Sequence, residues 1–566
     1  MELKDNLVLK ICFIFTIAGL NNLSATDTLD VTPGFETLNL AVSGDTTSTG
    51  TPVSADRVYR LERDGVYLLN GSIEGLTDTP LRIVAASGSG SRPQLIPAAN
   101  ADGDAKQAVK TGNDGEFKGL YISGIDNLGN QVKNMFKCSK EGGTYVVDDC
   151  FLDGDRAAFM RMNATNQTLY FTNNIARNST RFGVPTEGRL IDTRGNDQHT
   201  VFIQNCTFYM GTDDVFRNIG SLVQNLTVDH TTVYHGGGFM TDGIQVWRTV
   251  NATITNNLLM NIGFEGDHAG YDQKNGDPAG YMDPYYEGTD GLDWSIVGID
   301  SLNADTVATE AQRSITITNN VYGWQGAVKT HIEGDDSLNF YVFHDTKTQG
   351  IIDGNANITS SNNVRHDDIA FSDAPEDSII QAYIEARATA RWINGADGIP
   401  NPVYDRNGIG VMSTNPETIG PNSDEYDFDY ATSHAAYTFA IGGFPVGDLN
   451  WFPSKKSEWG LTAATDKENG VFLPKDFTLF QNYPNPFNPV TNITFNINKQ
   501  SDVKVEVFDI RGNHVSTLVS GRKNVGYHSV VWSGRNDLGQ EVSSGIYIYK
   551  LTADNFTQSK KLLLAK

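Results

Sequence analysis

The chain has 566 residues, too many for one ordinary domain, so a large repeat domain with smaller modules is expected. Hydrophobic residues make up 39%, enough for a core, and 56 glycines with Asn-rich turns favour many short strands. A formal net charge of −25 argues against a general nucleic-acid binder and suits an extracellular protein able to hold divalent cations.

Residues 1–25 read as a signal peptide: Lys4 and Lys10 flank the apolar run ICFIFTIAGL, small residues follow through Ala25, and the run is too short to span a bilayer. Residues 26–56 form an N-terminal extension. Removing the signal takes Cys12 with it and leaves Cys138, Cys150 and Cys206, an odd number that argues against a disulfide framework.

From residue 57 to 365 one phrase recurs: TYVVDDCFLDG, TLYFTNNIARN, TVFIQNCTFYM, NATITNNLLMNIG, SITITNNVYGW. Each is a β-rich run, a polar pair and a second apolar step. Taking the polar position as a register mark gives Gly124, Asp149, Asn173, Asn205, His230, Asn256, Asn319 and Asn362. The spacings are 25, 24, 32, 25 and 26, then 63 and 43. A period near 25 predicts a solenoid with about three short strands per coil. The step of 63 contains the insertion Gly266–Trp294 and is expected to count as two coils. Alternating Val, Ile, Phe and Tyr send side chains in and out, while Asn at the corner tolerates left-handed backbone and ladders its amide with the next coil. Cys150, Asn174 and Cys206 share a column, so the two thiols lie about 9.6 Å apart at the usual strand spacing and cannot bridge.

These repeats, with the opening RVYRLERDGVYLLNGSIEG and LRIVAASG, resemble the right-handed parallel β-helix of the pectate-lyase-like superfamily, its chondroitinase-B-like and alginate-lyase-like members in particular. The resemblance implies an all-β fold that carries lyases, hydrolases, epimerases and non-catalytic adhesins.

Residues 366–453 are expected to cap the C-terminal coils, with one amphipathic helix in APEDSIIQAYIEARATARWING carrying Ile380 and Ile384. Residues 454–472 are polar and aperiodic, a linker. Residues 473–566 alternate as a small Ig-like β-sandwich. Their NYPNPFNP and SGIYIYKL resemble the type A C-terminal sorting domain of the type IX secretion system of Bacteroidetes-like bacteria. That resemblance implies export across the outer membrane and a protein secreted or attached to the cell surface, with the type IX machinery as a partner.

Chemistry is sought first among arginines. Between Glu141 and Gln273 there are eight, with no lysine and fifteen acids. Arg161, Arg194 and Arg217 lie 12, 11 and 13 residues before the next register mark and are expected in one column, with Arg248 displaced. A guanidinium column suits successive carboxylates or sulfates, and in a lyase it neutralises a uronate carboxylate and stabilises the developing enolate. Equally, these arginines pair with the surrounding acids along a solvated face. Candidate catalytic residues are Arg217, Arg248, His235 and Lys274, with Lys329 as another lysine. Candidate substrate-binding residues are Arg161, Arg194, Tyr234, Trp247, Tyr285 and Tyr286. The lysine–arginine pair that the resembled lyases use finds no lysine in this window.

Asp213 and Asp214, with Asp242 about one coil later, offer hard oxygens for Ca2+. A plain turn role is the simpler reading of the first two, and the paired carboxylates of polygalacturonase-like hydrolases are a third. The insertion supplies Tyr271, Tyr281, Tyr285, Tyr286 and Trp294 for stacking on sugar rings. The leading expectation is a monomeric, secreted protein that binds or degrades acidic polysaccharide, best as a uronate lyase acting by β-elimination. The alternatives are a non-catalytic adhesive rod and a polygalacturonase-like glycoside hydrolase. No nucleic acid and no transmembrane segment are expected.

Overall fold

The computed structural model describes residues 27–565 except 99–106, 127–130, 180–186, 219, 237–241, 264–266, 269–294, 303–307, 337, most of 376–425, 466–476, 480–486 and short stretches after 487. The chain divides into two compact units, Leu23–Trp459 and one built on Gly460–Lys566. Among the described residues no helix is long and apolar enough to cross a membrane.

The first unit is a stack of parallel strands in three ladders. The first ladder runs through Thr144–Asp148, Gln167–Thr172, the front of Gln198–Gly211, the front of Val223–Tyr234, Thr249–Thr255, Ser314–Thr318 and Ile358–Ser361. The second takes the run after each corner, and the third collects Val109–Thr111, Asn134–Cys138, Ala158–Met162, Arg189–Asp192, Phe216–Arg217, Ile244–Gln245 and Val297–Gly298. Alternation decides what is buried. Tyr145, Leu169, Val201, Leu226, Ala252, Ile315 and Ile358 fall on one in-register column, and Val147, Phe171, Ile203, Val228, Ile254 and Ile317 on the next. All are buried, each contributing about 1.5–3 kcal/mol where the side chain is large.

The polar pair divides its labour. The first residue of each pair (Asp149, Asn173, Asn205, His230, Asn256, Asn319, Asn362) has φ between 46° and 60°, the left-handed corner expected of it. The second points inward and builds the amide ladder. Asn257 Oδ1 accepts from Thr231 N at 2.9 Å, Asn320 Oδ1 from Asn257 Nδ2 at 2.9 Å, and Asn363 Oδ1 from Asn320 Nδ2 at 2.8 Å. In the same column Cys150 and Cys206 are buried free thiols separated by Asn174. Burial pushes the Cys150 thiol up to about 12. Cys138, in the third ladder, is likewise free and buried.

Several boundaries differ from the sequence reading. The corner homologous to Asp149 is Gly119, with φ 67°, rather than Gly124. Gly124 is glycine for another reason: a Cβ there would lie 2.6 Å from the carbonyl oxygen of Gly154. Thr249–Thr255 pairs directly with Ser314–Thr318, so the step of 63 is one coil with a long excursion. The stack also begins earlier, because Thr28–Val31 pairs with Val58–Leu61 and Gly34–Phe35 with Val66–Leu69. The helix Thr37–Ser43 buries Leu38 and Val42 beside them.

Residues after 426 run along the flank instead of across the end. Going back down the stack, Phe439 O accepts from Asn319 Nδ2 at 2.8 Å, Ile441 N donates to Asn256 Oδ1 at 2.9 Å, and Asp448 N to Thr232 Oγ1 at 2.9 Å. Asn450 Nδ2 then donates to Asn205 O at 2.9 Å and Lys456 Nζ to Asn173 Oδ1 at 2.7 Å. The corner asparagines thus serve a strap as well as a turn. Gly447 (φ 85°) is required where the strap presses closest, since a Cβ would sit 2.5 Å from Thr232 Oγ1. Ile380 and Ile384 are helical and buried, as their spacing predicts; the rest of that helix lies outside the described residues. The start of the expected linker is a helix, Pro453–Thr465.

The second unit holds two antiparallel sheets. One is Phe477–Leu479, Thr491–Ile497 and Gly526–Trp532; the other is His514–Lys523, Ser501–Asp509, Gly545–Ala553 and Phe556–Leu564. Val503, Val505, Val507, Tyr549 and Leu551 from one meet Ile493, Phe495 and Trp532 from the other in a single core.

Candidate functional site

The third ladder places charge in a row. Lys110, Lys137, Arg161, Asp192 and Arg217 are successive in-register partners. The neighbouring row (Phe136, Met160, Ile191 and Phe216) is fully buried, so strand alternation turns the charged row to the opposite face. The row descends from the exposed Lys110 through half-buried Lys137 and Arg161 to the buried Asp192 and Arg217.

Three like charges therefore lie directly opposite one another, an arrangement that is destabilising unless something compensates it. Lys110 finds Glu74 at 2.8 Å. Lys137 makes no ion pair among the described residues. Arg161 has no carboxylate within ion-pair distance there either: its Nη1 lies 3.2 Å from the Asn134 side-chain amide, and its Nε is buried without a partner. The in-register Asp192 instead faces Arg189 at 3.6 Å and Arg194 at 3.8 Å. Burial first, then the charge of Arg194, pushes the Arg161 pKa down, so its cation is held at a cost.

Arg194 is not in the row. The strand ends at Asp192, and Arg194 sits in the turn with φ 55°, its side chain 41% exposed beside Asp192. It stands only 11 residues before the Asn205 corner, whereas the row position, Asp192, stands 13 before it. Arg217 is in the row but buried, with Asp214 at 3.9 Å. Arg248 is also a left-handed corner, φ 47°, and its Nη1 donates to Gly220 O.

His235 and Tyr234 lie elsewhere, at the end of the second ladder. Both are buried, their rings 4.0 Å apart, and Tyr234 packs on Phe371 and Phe428. Burial pushes His235 down to about 3, which keeps it neutral, yet it lies too deep to meet a polymer. Neither is placed with the arginine row, against the sequence expectation. Lys329 is held by Asp367 at 3.0 Å.

The three aspartates do not converge as a cation site. Asp213 pairs with Arg189 at 2.6 Å, and Asp214 accepts from Gln245 at 3.0 Å. Asp242 accepts from Trp247 Nε1 at 2.8 Å and from Ser295 Oγ at 2.6 Å, with burial pushing it up to about 6. Trp247 is thereby committed to Asp242. Among the described residues, the group with ligand atoms gathered for a metal is His366, Asp368 and His434. Lys274, Tyr271, Tyr281, Tyr285, Tyr286 and Trp294 lie outside the described residues.

Lys137 is the residue that sequence reading missed. It stands just before the window beginning at Glu141, yet NMFKC and AFMRM share one pattern, a cation between two inward residues one coil apart.

Comparisons reach only the C-terminal unit with a family. Residues 486–556 match the FlgD Ig-like domain, as the two packed sheets lead one to expect. No curated protein matches the chain. A solved structure described as dimeric latent PorU from Porphyromonas gingivalis is similar at 16% identity and a TM-score of 0.15, over 17% of this chain and 10% of that one. The first unit is thus characterised by its large parallel sheets, and the second is Ig-like.

Proposed function

We propose that the three ladders close into a right-handed parallel β-helix whose third face binds an acidic polysaccharide, and that the protein is a uronate lyase. The observation that carries this reading is the in-register row Lys110–Lys137–Arg161, in which Lys110 has Glu74 but Lys137 and Arg161 have no carboxylate partner among the described residues of a strongly acidic protein. A polyanion laid along the row supplies the missing counter-charge, and the rest of the surface repels it.

The chemistry follows from those groups. Arg161 pairs with the uronate carboxylate through its planar fork and stabilises the enolate that forms as C5 loses its proton. Lys137 binds the polymer as a cation and, once its ammonium has released a proton to solvent, its neutral amine takes the C5 proton. The electron pair then forms the C4–C5 double bond, the C4–oxygen bond breaks, and the leaving oxygen takes a proton from the Lys137 ammonium or from water. A lysine with an arginine is also the pair used by the lyases that the repeats resemble. His235 takes no part in this scheme, being fully buried.

For the C-terminal unit we retain the sorting-domain reading, which rests on NYPNPFNP and SGIYIYKL and which its Ig-like sandwich suits. Secretion and processing then go together. Intact-mass measurement of secreted protein should show loss of residues 1–25 and of most residues after 473.

The activity test is direct. The purified protein is incubated with a panel of polysaccharides while absorbance of unsaturated products is recorded. Uronate polymers should give product, and Lys137→Ala should lower the rate by about 10²–10⁴-fold, the usual contribution of a positioned base. Binding without product would leave a non-catalytic glycan-binding protein; neither binding nor product would remove the reading altogether.

A further inference from the structure

The molecule holds a second cluster of chemistry-bearing side chains far along the same stack. His366 follows the last second-ladder strand, Val364–Arg365, and its N–H donates to Tyr322 O at 2.7 Å, continuing that ladder. His434 belongs to the strap, immediately before the 3-10 turn Ala435–Thr438. Asp368 lies between them, its Oδ1 3.4 Å from His366 Nδ1 and 3.2 Å from His434 Nε2. The ligand atoms of all three lie within 4.8 Å of one another.

We propose that His366, Asp368 and His434 bind a divalent transition metal of the zinc class, which staples the strap to the last coil. Two imidazoles and one carboxylate form a donor set suited to such ions. Bonds of about 2.0–2.1 Å in a tetrahedron put neighbouring ligand atoms about 3.3 Å apart, the separation already seen on either side of Asp368. The fourth position is left for water. His366 is anchored by its own backbone bond, and the two rings stand edge to face at 5.1 Å. Nearby Arg365 does not oppose a cation freely, because Asp367 takes its charge at 2.7 Å.

Binding requires a tautomer exchange at each ring, and at His366 the proton facing Asp368 moves from Nδ1 to Nε2. His434 Nδ1 now accepts from Ala436 N at 3.1 Å, which leaves the ring proton on Nε2, directed at Asp368. Coordination through Nε2 moves that proton to Nδ1 and gives up the Ala436 bond. Each ring stays neutral and keeps one proton, so no co-reactant is needed.

The test uses the full chain, treated with a chelator, dialysed and titrated with ZnCl2. One Zn2+ per chain should bind, and melting temperature should rise with Zn2+ in excess. Asp368→Asn, at a side chain 75% exposed and therefore safe for folding, should weaken Zn2+ binding on the order of tenfold or more. His366→Ala with His434→Ala should abolish it. Zn2+ uptake equal in wild type and Asp368→Asn, or no uptake by wild type, would overturn the proposal and leave an ordinary His–Asp–His hydrogen-bonded group.

Discussion

Two charged rows run across neighbouring coils of the same stack, and they are built on opposite plans. In the second ladder Asp153, Arg177 and Tyr209 are in-register partners, all buried. Arg177 donates to Asp153 at 2.7 and 2.9 Å and to the Tyr209 hydroxyl at 3.3 Å, while Tyr121 and Asn178 complete the carboxylate's shell at 3.1 and 2.8 Å. In the third ladder Lys110, Lys137 and Arg161 repeat one sign, and the last two lack acids among the described residues. A parallel stack brings equivalent positions face to face, so sequence alone decides whether a row neutralises itself. One row holds the fold together, and the other is the one we propose to take an anion from outside.

Breaking the closed row should have the largest effect on stability. Arg177→Ala leaves Asp153 buried and uncompensated, and should cost about 3–5 kcal/mol in urea unfolding. Replacing both partners by apolar residues of similar volume should recover most of that loss, which distinguishes a stranded charge from lost packing.

The amide ladder should come next. Asn257→Ala strands Thr231 N–H and the Val228 carbonyl, bonded at 2.9 Å each, at about 1–3 kcal/mol per group. Thermal denaturation measures it.

A pH effect sharpens the contrast between buried and exposed bases. His235 is held near 3 and His199 near 4 by burial, against an ordinary 6.5. Unfolding lets each take a proton, so their contribution is whole above pH 6.5 and is lost as pH falls toward those values. One such proton changes stability by up to about 1.4 kcal/mol per pH unit. Asp242 and Asp448, held up near 6, act with the opposite sign between their ordinary 3.8 and 6, so the histidine share is best read as a difference between variants. His235→Asn keeps a residue that tolerates the left-handed corner, and should flatten the acid limb relative to wild type.

The open row should scarcely register in stability. Lys137→Ala removes a like-charge contact without breaking an ion pair, and should change stability by no more than about 0.5 kcal/mol, with the sign toward gain.

Much of this was legible in the sequence. The left-handed corners, the free cysteines and the inward columns follow from period-2 alternation, the polar pair and backbone sterics, all of them local. The strap was not legible, because Asn173, Asn205 and Asn256 carry no sign that residues more than 180 positions later bond to them. The site was half legible. Arg161 and Arg217 share a row as their spacing suggested, whereas Arg194, 11 residues before its corner, lies two past the row position that Asp192 holds. His235 and Tyr234 looked like exposed chemistry, but Phe371 and Phe428 cover Tyr234 from distant sequence.

The central claim is that Lys137 and Arg161 await an external polyanion, and calorimetric titration with a uronate polymer tests it most directly. Wild type should bind, and more weakly as salt is raised. Arg161→Ala should lose about 1.5–3 kcal/mol of binding, the worth of a charge-assisted bond, and Arg161→Lys should recover only part of it. Unaltered glycan binding in Arg161→Ala together with a large fall in melting temperature would contradict the account, because the row would then be holding the fold rather than a ligand.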